Sequence, residues 1–305
     1  VSGGRILSRR AALSALGISA CAGCFGEPAG RDKADPLDRL RADGQEPATL
    51  RIGVSPTNGK TTNALFEPLA RYLDRRGLEA AFVSADSYED VTRDLGAGDL
   101  DAAILSPLSW VKAREKLPAA LVATAARSGS PTYLGYLIAR ASDAPTSLAA
   151  LRGKRIAYVE RGSTSGYLCP RALLRERGLD PDTFFGEAKM LGNHAAVITA
   201  VANGEVELGA TASAFVDPER FDRVKEADQV IVLAKTARIP LDAAVVHTRL
   251  SQRVGHRLRE ALLAFSQSVQ DSDALSHSWG VSGFVAPDER RYDGLAAMLA
   301  TEPAP

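Results

Sequence analysis

The feature that most restricts this chain is a repeated unit, a short β-branched strand running straight into a helix start that carries hydroxyl side chains. Its fullest form lies near the middle. Lys154-Arg155-Ile156-Ala157-Tyr158-Val159 reads as a strand bounded by Gly153, and Leu168, Ala172, Leu173 and Leu174 recur at helical spacing up to Gly178. Between them stands Gly162-Ser163-Thr164-Ser165-Gly166-Tyr167. Pro170 lacks an N–H and suits a first helical turn, which places the helix start near Ser165 to Tyr167. Helix starts leave backbone N–H groups unpaired and carry partial positive charge, so they attract anions. An ordinary N-cap needs one hydroxyl. Two further hydroxyls and a glycine on each side are a surplus that points to an oxyanion site.

The same grammar runs through the rest of the chain from Leu50. Leu50 to Val54 reads as a strand, 55–59 as a loop, and Leu65, Leu69, Tyr72 and Leu73 as the apolar stripe of a helix ending at Gly77. Ala81 to Ser84 is a strand, Asp86-Ser87-Tyr88 opens a helix, and Asp101 to Leu105 is a strand entering Ser106-Pro107-Leu108-Ser109. Extended segments follow over 121–124 and 133–139, then the central strand, a strand over 187–191, and a helix starting at Gly192-Asn193-His194. Val230 to Leu233 and Ala243 to His247 are the last strands. A long helix over 251–271 and a final one over 287–299 close the chain. Alternation of this kind implies α/β lobes with mainly parallel sheets flanked by helices, and ligands collect where strand ends meet helix starts. Ser106 and Ser109 therefore join Ser163 to Ser165 as candidates, with simple capping as the plainer role of each.

A helix-Gly-acidic-strand sequence occurs at Gly98 to Ile104 and again at Gly204 to Thr211, once per half. The natural division is lobe 1 over 49–136 and 240–300 and lobe 2 over 141–232. Crossing segments at 133–140 and 233–242 form the hinge, and a ligand belongs in the cleft between the lobes.

The 305 residues carry 37 basic and 37 acidic side chains, so no global field favours nucleic acid and any anion site must be local. Arg5, Arg9 and Arg10 precede an apolar run over 11–20 that is too short to span a bilayer, which reads as an export signal over 1–24. Ser8-Arg9-Arg10-Ala11-Ala12-Leu13 resembles a twin-arginine motif, and Ile18-Ser19-Ala20-Cys21 resembles a lipobox that places a lipidated cysteine at the new terminus. Cys24 fits that pattern less well. Simple cleavage without lipid is the alternative. Residues 25–48, mixed Gly, Pro, Asp and Arg, read as a flexible linker. Three cysteines argue against a disulfide framework or metal cluster, and Cys169 reads as a small buried hydrophobe.

Taken together, Leu151 to Ala157, Gly162 to Tyr167 with Pro170, Gly192-Asn193-His194 with Ala200 to Gly204, and Ser282-Gly283-Phe284 resemble one family. It is the phosphate/phosphite/phosphonate-binding proteins of bacterial ABC transporters, with a two-lobed (type II) periplasmic binding fold. The resemblance extends from about Leu50 to Leu299. It implies that Ser163, Thr164 and Ser165 bind phosphonyl oxygens, that His194 donates from the facing helix start, and that Tyr88 and Tyr133 line the cleft. Asp242 matches an acidic residue of the second crossing. Ala214 stands where aminoalkylphosphonate binders place a glutamate, which disfavours such a ligand and favours a smaller oxyanion. The implied partners are a permease and an ATPase, with the membrane reached through a lipid anchor. A monomer without cofactor or metal is expected.

No Arg or Lys is among these candidates, so binding is expected to rest on neutral donors and helix dipoles. Without the resemblance, His194 reads as a cap or surface residue and the two tyrosines as half-buried core. Ser165, His194 and Asp242 are triad residue types, but a hydroxyl at a helix start is an oxyanion donor first. No metal spacing or phosphate loop supports an enzyme. The other rival is a tethered sensor feeding a kinase. An adjacent permease gene would mean uptake and an adjacent kinase gene would mean signalling.

Overall fold

A computed structural model describes residues 35–54, 62–218 and 223–302. The expected export signal with Cys21 and Cys24, the first part of the expected linker and the loop expected over 55–59 lie outside the described residues.

The first lobe begins with β1 (Leu50–Val54), α1 (Thr62–Asp74), β2 (Ala80–Ser84), α2 (Tyr88–Ala97), β3 (Ala102–Leu105), α3 (Pro107–Ala113) and β4 (Ala119–Ala126). Sequence chemistry sets these limits. The α1 stripe of Leu65, Leu69, Tyr72 and Leu73 is buried. Helix α2 is capped by Ser87, whose hydroxyl accepts the Asp90 N–H at 3.1 Å, and ends at Gly98 in the left-handed conformation.

The chain then crosses through β5 (Thr132–Tyr133) into β6 (Gly135–Arg140). Lobe 2 continues with β7 (Arg155–Tyr158), one wide π-type turn over Thr164–Leu168, α4 (Cys169–Glu176), β8 (Glu187–Met190), α5 (His194–Ala202), β9 (Leu208–Ala212) and β10 (Val230–Lys235). The return passes through β11 (Ile239–Pro240), which pairs antiparallel with β5, into β12 (Ala243–His247). Helices α6 (Gln252–Ala264) and α7 (Val269–Trp279), strand β13 (Gly283–Val285) and α8 (Asp293–Ala300) complete lobe 1.

The first sheet has the order β13-β4-β12-β3-β1-β2 and the second β10-β6-β9-β7-β8. They are mixed rather than mainly parallel. Strand β1 is parallel to β2 and β3, and β7 to β8 and β9, whereas β12 runs against β3 and β4, and β6 against β9 and β10. The cause is the crossing itself. Strands β6 and β12 enter their sheets from the hinge, so they start at the edge where β9, β3 and β4 end.

Three further expectations need correction. Residues 35–48 are not a free linker. Leu37 is 0% exposed and Leu40 is buried beside it, and both pack on α6 so closely that a Cβ at Gly255 would meet the Leu37 and Leu40 methyls at 2.9 and 2.7 Å. The Arg259 guanidinium holds Asp35 through both carboxylate oxygens, at 2.5 and 2.6 Å. The mixed composition concealed two well-spaced leucines in a short turn. The long helix over 251–271 is likewise two helices. It breaks at Phe265, which turns into the core with 0% exposure. The last helix starts later than expected, with a tight turn over Glu289–Tyr292 ahead of α8.

Among the described residues no helix is long and apolar enough to cross a membrane. Just past α8, Glu302 reaches back to lobe 2, accepting from Arg171 Nε at 3.0 Å and pairing with Arg175. Cys169 is buried, and desolvation pushes its thiol up to about 12, as befits a small apolar filler.

If the segment before β1 is part of the fold, Leu37→Ala costs about 2–5 kcal/mol of unfolding free energy by the loss of a fully buried leucine. Urea denaturation reads it, and a change below about 0.5 kcal/mol, the size of an ordinary surface substitution, would restore the linker reading.

Candidate functional site

The carboxyl ends of β1, β3 and β4 face those of β7 and β9 across the cleft, and a cavity of about 330 Å³ lies between them. Of the residues singled out in the sequence, Ser163, Thr164, Ser165, His194, Tyr133, Tyr88, Asp242 and Ser106 all line this one cavity. Ala214 is fully buried and does not, and Ser109 stands behind Ser106, 2.9 Å from its hydroxyl.

The turn after β7 is built by close packing. A Cβ at Gly166 would meet Val159 at 2.3 Å, and one at Gly162 would meet the Tyr88 Cβ of the other lobe at 2.9 Å. Those approaches account for both glycines. Ser163, Thr164 and Ser165 are each only 2% exposed. Ser163 Oγ accepts the Gly166 N–H at 3.0 Å, capping the turn. Thr164 Oγ1 accepts the Leu108 N–H of α3 at 2.9 Å, a hydrogen bond across the cleft. Ser165 and Tyr133, the latter on the crossing strand β5, line the same cavity. Ser163 and Thr164 thus have backbone N–H groups against their lone pairs and an O–H proton left to donate.

Ser106 differs. It caps α3, accepting the Ser109 N–H at 3.1 Å, and aims its proton at Ser109 Oγ, with the Gly162 carbonyl 3.4 Å away. Capping is its main work, as expected.

His194 is not the cap of α5. Asn193 is, accepting the Ala196 N–H at 2.8 Å. His194 is 8% exposed and stacks on Phe215 at 4.7 Å and 16°. Its Nδ1 accepts the Ala212 N–H at 3.1 Å and lies 3.0 Å from Thr211 Oγ1. A neutral imidazole that accepts at Nδ1 carries its proton on Nε2, so the remaining nitrogen is a donor. Burial, with Arg127 nearby, lowers the imidazolium to about 3, so the ring is neutral.

Asp242 precedes β12 at the cleft edge. Desolvation raises its carboxyl to about 6, with the Arg127 charge opposing the shift. The phenols of Tyr88 and Tyr133 are raised, first by burial and then by the Asp242 carboxylate, so both remain O–H donors.

The expectation of a site without cationic groups is wrong. Arg127 and Arg223 both line the cavity. Arg127 follows β4 directly, and its charge acts on His194 and Asp242 alike. Arg223 is tied to Asp228 at 2.6 Å and to the Val216 carbonyl at 3.2 Å. Phe215, Trp279 and Phe66 were also missed. For Arg127 a signal existed, since a charged residue at the end of a strand that is apolar but for Thr124 sits where ligands gather. The aromatic residues carry none, because they read as core.

These features have counterparts among known proteins. Residues 52–292 match the family described as "ABC transporter, phosphonate, periplasmic substrate-binding protein". The chain belongs to that family. The Phosphate-import protein PhnD of Mycolicibacterium smegmatis is 29% identical over 229 residues, 71% of this chain and 68% of that protein. Two solved structures share the fold at lower identity. A binding protein component of an ABC phosphonate transporter from Pseudomonas aeruginosa has a TM-score of 0.73 at 20% identity, covering 83% of this chain and 86% of that one. PhnD1 from Prochlorococcus marinus, in complex with methylphosphonate, has a TM-score of 0.71 at 18% identity, covering 83% and 97%. The family consists of periplasmic substrate-binding components of ABC transporters.

The assignment of the imidazole is open to direct measurement. Because folding holds His194 near 3, its ring resonances are expected to stay those of a neutral, Nε2-protonated imidazole from pH 8 to pH 5 in an NMR titration. A midpoint near 6.5 would mean the ring is exposed and free to charge.

Proposed function

We propose that this chain captures a small phosphorus oxyanion (phosphate, phosphite or an alkylphosphonate) in the inter-lobe cavity and delivers it to the permease and ATPase of an ABC importer. The observation that carries this reading is the convergence of the Ser163-Thr164-Ser165 turn and the α5 start at His194 on one cavity, with Tyr133 and Asp242 of the hinge beside them. Hydrogen bonds to an ionised oxyanion contribute about 1.5–3 kcal/mol each, so a handful supports micromolar binding after ordering costs. Arg127 adds a cation at short range. The name and methylphosphonate ligand of the relatives point the same way.

Ligand capture needs no chemical step, and among the described residues the His194 ring faces Thr211 and Ala212 with its basic nitrogen rather than the hydroxyls of the turn after β7. The anchor proposed for the exported chain is a lipid on Cys21, and the protein acts as a monomer, with closure of the lobes about the ligand as the signal read by the permease.

Asp242 supplies selectivity. Above about pH 6 it is a carboxylate that accepts the proton of hydrogenphosphate or a hydrogenphosphonate, whereas fully ionised sulfate meets only repulsion. Below that pH it is neutral and the repulsion fades. By calorimetry the parent is expected to prefer phosphate over sulfate at least tenfold at pH 7.5, less at pH 5, and Asp242→Asn is expected to level the two anions. If Asp242→Asn discriminates as the parent does, the selectivity mechanism is wrong. Ser165→Ala is expected to weaken the preferred anion by roughly 10- to 100-fold, the worth of one charge-assisted hydrogen bond. Unchanged affinity would remove that hydroxyl from the site.

A further inference from the structure

Oxygen donors occupy one part of the cavity wall, and a tetrahedral anion uses only those. The remainder of the described wall carries apolar and aromatic side chains alongside Arg127, Arg223 and Asn193. We propose that this remainder receives the organic substituent of the ligand, so that the preferred solute is a phosphonate or phosphate monoester bearing an uncharged apolar group of about the size of a phenyl ring. The inference rests on the oxyanion reading above and goes beyond it by naming what is attached to phosphorus.

Size is the first argument. A cavity of about 330 Å³ exceeds what a bare tetrahedral anion, roughly two or three waters in size, would fill. The expectation of a smaller oxyanion, drawn from Ala214, leaves most of that space without a solute. Cavities of this size match small organic ligands.

The character of the wall is the second. From lobe 1 come Val54, Leu65, Phe66 and Trp279, and from lobe 2 comes Phe215. Trp279 is half-buried, with its ring 4.8 Å from Phe66 and tilted by 54°. Phe66 stacks in turn on Phe82 at 4.8 Å and 11°. The end of α7 that carries Trp279 is pinned to α1, because Ser278 donates to the Leu65 carbonyl at 2.7 Å. Phe215 is held by its stack on His194. Phe66 is itself 1% exposed, so Trp279 and Phe215 offer the accessible rings; held in this way they lose little freedom on binding, and pairing them with a flat apolar group adds to the burial of its surface.

Charge is the third. Two guanidiniums, Arg127 and Arg223, line the cavity against one carboxyl, Asp242, among the described residues, and that carboxyl stands beside the oxyanion donors at the hinge. Arg223 is already paired with Asp228, so what a cationic substituent lacks on the rest of the described wall is a carboxylate partner, and an apolar one meets a surface that suits it.

The test is calorimetric titration of the intact protein with phosphate, methylphosphonate, phenylphosphonate and 2-aminoethylphosphonate. Phenylphosphonate is expected to bind at least tenfold tighter than methylphosphonate, and 2-aminoethylphosphonate more weakly than either. Trp279→Ala is expected to bring the phenyl-to-methyl ratio close to one, and Trp279→Phe to retain most of it. The ratio, rather than either affinity alone, is the quantity read. The comparison in the parent protein needs no variant to fold. Methylphosphonate or 2-aminoethylphosphonate binding as tightly as phenylphosphonate would overturn this inference and leave the oxyanion reading intact. Failure of all four ligands to bind would overturn both.

Discussion

The site depends on one constraint: a hydroxyl or imidazole taken out of water must have its lone pairs satisfied, or the fold loses roughly 1–3 kcal/mol for each. Ser163 and Thr164 meet it by accepting the N–H groups of Gly166 and Leu108, and His194 meets it at Nδ1 through Ala212. Satisfying the acceptor side fixes the donor side. Each group then has one proton left, and the cavity is where such protons find a partner. A set of buried acceptors that are already occupied is therefore also a set of aimed donors, and a solute made of acceptor oxygens is its complement.

One of these bonds also joins the two lobes. The Leu108 N–H to Thr164 contact crosses the cleft, as do the Tyr88 N–H to the Glu160 carboxylate at 3.3 Å and the approach of Gly162 to Tyr88. Tyr133 and Asp242 sit on the crossing segments themselves. A ligand that bonds to the turn on one side and to the hinge residues on the other draws the lobes together, so recognition and closure use the same atoms. Glu302 adds an ionic tie outside the cleft, where its carboxylate bridges Arg171 and Arg175 of α4.

Much of this was legible in the sequence because strand-to-helix turns obey local rules. The hydroxyl surplus at Ser163 to Ser165, the Ser87 cap and the Gly98 stop follow from capping chemistry, and all eight proposed lining residues lie at strand ends, helix starts or crossings. What escaped was set by tertiary contact. Leu37 reads as part of a loose segment until α6 is present to bury it. Phe265 breaks a helix that its sequence alone would continue. Phe215 and Trp279 look like core residues, and only the turn after β9 and the placement of α7 bring them to the cavity. The direction of β6 and β12 depends on where the chain crosses between lobes, which no local pattern encodes.

The most direct measurement is a crystal structure of the protein with methylphosphonate bound. The account predicts phosphonyl oxygens within hydrogen-bonding distance of the Ser163 and Thr164 hydroxyls and of His194 Nε2, with Asp242 toward the protonated oxygen. A phosphorus centre held by Arg223 alone, away from the turn after β7, would contradict it.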